Sequence, residues 1–454
     1  MQASIKLNIP NGIKIYKMRI IFLFITVILF FGQPLTAQNE FSLNQAIVQA
    51  LENNRNIKIA KNSVIIQENL SSWGQAGLLP DLSAKGIADF GNNNYNRALS
   101  GTNNLTEQNG VQSKKYSASL NLNYTIFSGF GNLKTYEKLK TNIQLADAES
   151  KVNIENIILQ VASSYYNVIR TEENYSALLE SIEISKKRYE LEEAKSEYSG
   201  GTKLSLLNVK VDLNKDSVVL FDAILSKETA LLAFNKIVGF SLDTFLVLRN
   251  DFGAKNQYTY EDLKQQMESQ NFELLALKFK EQVSMLDYKI AKSNYYPTLN
   301  LGSSYTFNSS DVDHSSYDIN RSNGLGINIS LSIPIYSGGR KRAAVNNSRI
   351  IIDNVNLQFE ELSLQLELEL LSAYKDYQNA LQKVRMEETN VETAQLNFDL
   401  TVEKYKLGQV INTQFREAQF NLIMAKNSYN NSSFNARLAE LEIIKLSGLL
   451  LKEN

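Results

Sequence analysis

Few side chains in this sequence could carry covalent chemistry. It holds one histidine, His314, and no cysteine, so there is no second imidazole or thiolate to share a metal ion, no disulfide and no thiol nucleophile. Carboxylates are plentiful, but a pair such as Glu387 and Glu388 lies among basic residues in a helical pattern. A solvated helix face explains that better than general acid–base catalysis. Neither the spacing of a calcium-binding loop nor a Gly-rich phosphate loop occurs. With 47 basic and 48 acidic residues the net charge is −1, which offers no electrostatic case for nucleic acid. The residues point away from a catalytic centre, a cofactor or a metal site, and toward a function that resides in shape.

The suggestive short patterns mark turns. IFSGF at 126–130 and IYSGG at 335–339 stand 209 positions apart; each ends an alternating apolar/polar run and opens a long helical one. Phe127, Ser128, Gly129 and their counterparts Tyr336, Ser337, Gly338 therefore read as strand-to-helix junctions. There an aromatic ring suits a membrane interface and glycine allows a sharp change of direction. Further on, EYSGGTKL and KYKLGQVI place Tyr198 and Tyr405 three residues before Gly201 and Gly408, as helix stops at the tips of two helical hairpins.

The runs before the junctions alternate with period two. Tyr116, Ala118, Leu120, Leu122, Tyr124 and Ile126 share one face opposite Ser117, Ser119, Asn121, Asn123 and Thr125. In GLGINISLSIPIY, Leu325, Ile327, Ile329, Leu331, Ile333 and Ile335 share one face opposite Asn328, Ser330 and Ser332. Such length and regularity fit a tilted membrane crossing with a wet inner face. Weaker strands start at Leu82 and Leu299, and polar loops at 91–115 and 308–323 join each pair into hairpins at about 82–127 and 299–336. Four strands cannot close a barrel, and a sheet edge is not tolerated in lipid. Two, three or four copies would supply eight, twelve or sixteen strands.

Helix accounts for the rest. Gly131 to Gly200 contains no interior Gly or Pro, room for a helix of about 100 Å. A mainly apolar stripe, interrupted by a few charged residues, steps by four and three through Ile154, Ile158, Val161, Tyr165, Val168, Glu172, Tyr175, Leu179, Ile182, Lys186 and Tyr189. The same step runs from Leu370 and Ala373 through Tyr377 to Phe398, Thr401 and Tyr405, the period of left-handed coiled-coil packing. Return helices carry Val211, Val218, Phe221, Leu225 and Leu232 in one copy, and Leu422, Ala425, Tyr429, Ala436 and Ala439 in the other. Ser42 and Thr259 stand as matching helix N-caps and Pro80 matches Pro297. The order short helix, longer helix, strand, strand, very long helix, return helix is written twice, predicting repeats at 38–240 and 241–454.

Ahead of them, Lys14, Lys17 and Arg19 precede the twelve-residue apolar run 20–31 and the small residues of GQPLTA. That is the layout of a secretory signal peptide at 1–37, cleaved after Ala37, and too short to span a bilayer. Trp73, the one tryptophan, precedes the first strand and suits either an interface anchor or helix packing, while His314 falls in a polar loop.

The duplicated order, IPIYSGGRKRAAV at 333–345 and the Tyr-to-Gly tips together resemble the TolC-like outer-membrane efflux protein family, over essentially all of 40–450. The resemblance implies a mainly α fold with a membrane β-barrel, in which three protomers of four strands each make a twelve-stranded barrel continued by a coiled-coil-like helical tunnel. It implies an exit duct of a tripartite efflux or type I secretion system in the outer membrane of a Gram-negative bacterium, working as a homotrimer with a periplasmic adaptor and an inner-membrane pump. No catalytic residue, cofactor, metal or nucleic acid is implied. By the same resemblance Gly201, Thr202, Leu204, Leu207, Gly408 and Val410 are candidates for adaptor docking, and Tyr405, Gln414 and Glu417 for the aperture. Glutamine replaces one of the family's acids at 414, and Val410 stands where a basic partner is usual. The competing class is a secreted helical pore-forming or structural coiled-coil protein. A detergent-extracted membrane trimer decides for the duct, a soluble monomer against it.

Overall fold

A computed structural model of the chain describes residues 40–98, 105–198, 202–250, 257–312 and 319–451. The predicted leader, Gly201 and His314 lie outside these. Among the described residues the chain runs α1 (Leu43–Asn53), α2 (Arg55–Leu70), β1 (Asp81–Ala98), β2 (Leu105–Ser128), α3 (Gly131–Tyr198) and α4 (Lys203–Val238). It then repeats the order with α5 (Tyr260–Gln270), α6 (Phe272–Ser293), β3 (Thr298–Val312), β4 (Asn320–Ser332), α7 (Arg340–Lys406) and α8 (Asn412–Leu446). No helix among the described residues is long and apolar enough to cross a membrane.

The four strands form one antiparallel sheet in chain order. Its register sorts the side chains by face. Leu82 pairs with Leu122, Leu122 with Ser303 and Ser303 with Ile327. Two residues along, Ala84, Leu120, Tyr305 and Leu325 form the next row. On the other face the rows are polar or small: Ser83, Asn121, Ser304, Gly326, and then Lys85, Ser119, Thr306, Gly324. A sheet with one apolar and one polar face suits a wall between lipid and water. Beyond Tyr116 the apolar face ends at Lys114, opposite Phe90. The strands nevertheless continue, to Ala98 and from Leu105 in the first hairpin and through 308–312 in the second. Most of the predicted loops at 91–115 and 308–323 are thus strand, because Asn-rich segments without an apolar face can still pair backbone to backbone. The fourth strand stops at Ser332 rather than 336, two residues before Pro334, which has no N–H to donate to a ladder.

At both junctions the chain takes two consecutive left-handed residues, Gly129 and Phe130 at φ 62° and 66°, and Gly338 and Gly339 at 60° and 78°. A Cβ on Gly129 would lie 2.5 Å from the Ser293 carbonyl oxygen, so glycine is required by both conformation and space.

α3 and α7 extend 68 and 67 residues, about 100 Å each. α4 returns along α3 and α8 along α7, and α3 also contacts α8. In the tip half the helices therefore follow one another as α4, α3, α8, α7. Midway along, the short helices close over them in a belt whose core includes Ala46, Ile57, Val161, Tyr165, Phe234, Met267, Leu370 and Ile443. The Tyr165 hydroxyl reaches the carbonyls of Phe41 and Arg249, each at 2.8 Å. One latch appears in each half. Asn54 caps α2 and donates to the Ile237 carbonyl at 2.7 Å, and Asn271 caps α6 and donates to the Leu446 carbonyl at 3.1 Å. Beside them Gly239 and Gly448 lie flush against Asn53 and Gln270.

The coiled-coil stripe of α7 is buried or half-buried throughout. That of α3 shifts phase near the tip. Lys186 is exposed and Tyr189 half-buried, whereas Ser181, Ser185, Arg188 and Glu192 are buried. The predicted stripe fails there because α3 faces a polar neighbour. The two return helices differ as well: Val211, Val218, Phe221, Leu225 and Leu232 of α4 are exposed in the single chain, while Leu422 and Ala436 of α8 are buried. Trp73 is more than half exposed and stacks edge-on to Tyr136 at 6.1 Å.

Candidate gate at the helical tips

The α7–α8 hairpin has an apolar interior near its tip, and the α3–α4 hairpin a mixed one. Between α7 and α8 a cluster joins Phe398, Tyr405, Phe415, Ala418 and Leu422, with the Tyr405 and Phe415 rings 4.8 Å apart. Between α3 and α4, Val209 is fully buried. The seam where one hairpin meets the other, α3 with α8, carries polar pairs along its length, with Ile184 of α3 resting on the apolar cluster. Arg170 donates to Asn431 at 2.8 Å, Asn430 to Asn174 at 2.9 Å and Lys426 to Glu180 at 2.8 Å. Nearer the tip, Gln419 donates through Nε2 to Ser181 Oγ and Ser185 Oγ, both at 2.9 Å.

Two charged ties close the tip. Arg416 of α8 grips Asp216 of α4 with Nη1 and Nη2 at 2.8 and 2.6 Å, and the Ser185 hydroxyl donates to the same carboxylate at 2.6 Å. This two-point geometry is the strong form of an arginine–carboxylate pair. Tyr405 of α7 donates its hydroxyl to Glu192 Oε1 of α3 at 2.8 Å, a buried bond, and Ser205 of α4 donates to Oε2 at 2.7 Å. Burial pushes Glu192 up, but hydrogen bonds from Ser205, Tyr405 and Lys195 outweigh it and hold the carboxyl below its ordinary value. Burial and the bond to Glu192 push the Tyr405 phenol up, so it stays protonated and able to donate.

The tip residues singled out from sequence fall into different places. Tyr405 is buried at 5% exposure and bonded, whereas Tyr198, its counterpart by spacing, is 86% exposed; identical spacing does not give an identical setting. Thr202 caps α4, accepting from Ser205 N at 3.2 Å. Thr202, Leu204, Gly408 and Val410 line one groove of about 840 Å³ together with Glu192 and Tyr405. Leu207 is exposed and is not among that groove's residues. Gln414 accepts from Ile411 N at 3.3 Å as the cap of α8. Gln414 and Glu417 are exposed one turn apart and the structure does not bring them to Tyr405. Val410 brings no cation to the tip; Arg416, six positions later, does, and pairs with Asp216. Arg188, Glu192, Asp212, Asp216 and Arg416 were invisible as a group in the sequence, where each is an ordinary helix-surface charge. The available signal was the polar break in the α3 stripe. At the other end, Ser128 and Ser337 line one cavity of about 570 Å³, Phe127 packs edge-on to Phe130 at 5.2 Å, and Tyr336 is 88% exposed.

Comparison with known proteins gives this geometry a family. Residues 46–239 and 263–449 match the model of the outer membrane efflux protein family. The chain is similar to the outer membrane protein TolC of Vibrio cholerae, 23% identical over 77% of this chain and 81% of that protein. It is also similar to the outer membrane efflux protein BepC of Brucella suis, 20% identical over 93% and 89%. Its fold superposes on the Campylobacter jejuni CmeC outer membrane channel with a TM-score of 0.74 at 18% identity, covering 90% of this chain and 86% of that one. TolC-like channels form trimers and act with an adaptor and an inner-membrane pump. A two-faced sheet continued by long helices, matched along most of its length by that family's model, places this chain in the outer membrane efflux protein family, as a channel of the outer membrane with its helices in the periplasm.

Proposed function

We propose that three copies of this chain form an exit duct whose periplasmic end is held shut by the polar seam between the two helical hairpins of each copy. The observation that carries this is the contrast in chemistry. Each hairpin has ties of its own, apolar between α7 and α8 and mixed between α3 and α4, where Val209 is buried near the Arg188–Asp212 pair, whereas the hairpins are joined to each other chiefly by hydrogen bonds and ion pairs that water can replace at a net loss of about 1 kcal/mol per bond. Such a joint can open while the two hairpins stay intact. The groove lined by Thr202, Leu204, Gly408 and Val410 is where an adaptor's tips would engage, prying Tyr405 from Glu192 and Arg416 from Asp216. Cargo is chosen by the pump that delivers it.

The experiment is reconstitution of the detergent-extracted trimer in planar bilayers. A low, stable conductance that rises in Arg416→Ala supports a gate at this seam; a trimer that never conducts in either form overturns the duct. Glu417, repeated by threefold symmetry, would present a ring of three carboxylates favouring cations. In Glu417→Gln cation selectivity falls, and unchanged reversal potentials in a salt gradient remove Glu417 from the aperture.

A further inference from the structure

Arg188 has more hydrogen-bonding capacity than the closed arrangement uses. Its side chain is 1% exposed, yet only Nη2 has an acceptor, Asp212 Oδ2 at 2.8 Å. Nε and Nη1 are buried with none. Idle buried donors are costly, and here they are covered by a ring from the opposite hairpin, Phe415, 5.3 Å from Cζ. One helical turn from Asp212 along α4 lies Asp216. It is held by Arg416 of the opposite hairpin and by Ser185, which stands three residues before Arg188 on α3. Arg188 and Asp216 thus belong to the same hairpin and converge on the same stretch of seam, while Arg416 and Phe415 belong to the other. Parting the hairpins removes both at once. Asp216 loses its cation, and the idle Nε and Nη1 donors of Arg188 lose their cover.

We propose that Arg188 is the reserve cation for Asp216: when Arg416 withdraws, an unused donor of Arg188, Nη1 or Nε, pairs with the Asp216 carboxylate while Nη2 keeps Asp212, and holds the parted arrangement. With Nη2 on Asp212, the guanidinium still has a charge-assisted bond to offer a second carboxylate, and the swap spares the open state a stripped carboxylate. The closed seam is held by Arg416 and the open one by Arg188, both acting through Asp216. The inference rests on the gate reading above and deepens it.

Single-channel open times of the full-length trimer test it through a cycle. Arg416→Ala alone tests the gate, with an expected rise in open probability of about tenfold, the equivalent of one charge-assisted bond. If it changes nothing, the gate reading falls, and this inference with it. Given that rise, adding Arg188→Gln shortens mean open time several-fold, whereas in an Asp216→Asn background Arg188→Gln has no effect on it. The opposite result, open times unchanged or lengthened by Arg188→Gln beside Arg416→Ala, makes Arg188 only a closing contact to Phe415 and overturns the proposal. A shortening that persists undiminished in Asp216→Asn also overturns it. Should Arg188→Gln fail to assemble by size exclusion, Arg188→Lys carries the same comparison. Its ammonium keeps the charge without the guanidinium's spread of donors over two carboxylates, and open times fall between those of the arginine and those of the Asp216→Asn background.

Discussion

Tyr405 shows what one hydroxyl contributes at the seam. Tyr405→Phe keeps the ring against Phe415 but leaves one buried oxygen of Glu192 without that donor, a loss of about 1–3 kcal/mol from the closed tip. Higher bilayer conductance than wild type is expected, with the trimer retained. Glu155 of α3 presents the opposite case, a carboxyl at 3% exposure whose Oε1 has no partner. Burial pushes it up to about 7, Lys445 pulls against that and Glu273 adds to it. The sign follows from the raised value. Below the ordinary 4.5 both folded and unfolded chains hold the proton and nothing is lost. Between 4.5 and about 7 the folded chain keeps a proton that the unfolded chain sheds, so stability falls as pH rises, by on the order of 3 kcal/mol once both are ionised. Glu155→Gln should therefore raise the midpoint of thermal unfolding at pH 8 and leave it little changed at pH 4. An equal shift at both pH values would show that Glu155 is not titrating in this range.

At the scale of elements, the sequence was legible where a single period governs one neighbour. The alternation in β2 and β4 gave the correct faces because lipid and water are two uniform surroundings, and the α7 stripe from Leu370 to Tyr405 is buried or half-buried as its spacing implies. Legibility failed where an element meets a neighbour of its own chemistry. Ser181 and Ser185 turn inward to Gln419 of α8, Arg188 to Asp212 of α4, and Glu192 to Tyr405 of α7 and Ser205 of α4. No periodicity on α3 alone encodes that. The hairpins likewise run past the predicted loops because pairing needs only backbone. A close approach between elements is also silent in sequence until the partner is known. Gly448, at φ 73°, would place a Cβ 2.7 Å from the backbone carbonyl of Gln270, beside the Asn271 latch. Gly448→Ala combines a left-handed backbone with a clash against main chain, and should cost more than about 1 kcal/mol. The check is denaturant unfolding of the detergent-solubilised protein; a wild-type midpoint would mean that the belt closes without this contact.

At the scale of the whole molecule, a single copy is unfinished along two edges. One edge carries β1, α2 and α4, the other β4 and α7. On α4, Leu204, Val211, Val218, Leu225 and Leu232 recur every seven residues with Leu207 and Phe221 between, all exposed in one copy, a seam of about 42 Å. On α2, Ile59 and Ile66 are exposed seven apart, and on α7 so are Ile350, Leu357 and Leu364, with Leu400 and, just past the helix end, Leu407 near the tip. Heptad seams on opposite edges call for a head-to-tail partner, and a head-to-tail contact closes into a ring only if its rotation divides a full turn. The unpaired ladders of β1 and β4 impose the same requirement in the membrane, where an open edge is not tolerated. In a trimer both are satisfied together, with twelve strands above and a continuous helical wall below. Phe221 sits in the middle of the α4 seam, 67% exposed in one copy and outside every core cluster within it. Phe221→Glu should leave the protomer's helix content unchanged and remove the trimer, because a carboxylate buried between copies costs several kcal/mol three times over. Circular dichroism reads the first outcome and light scattering in detergent the second. A variant that stays trimeric would place the α4 seam at the surface of the duct rather than between its copies, and the assembly would then have to rest on the strands and α7 alone.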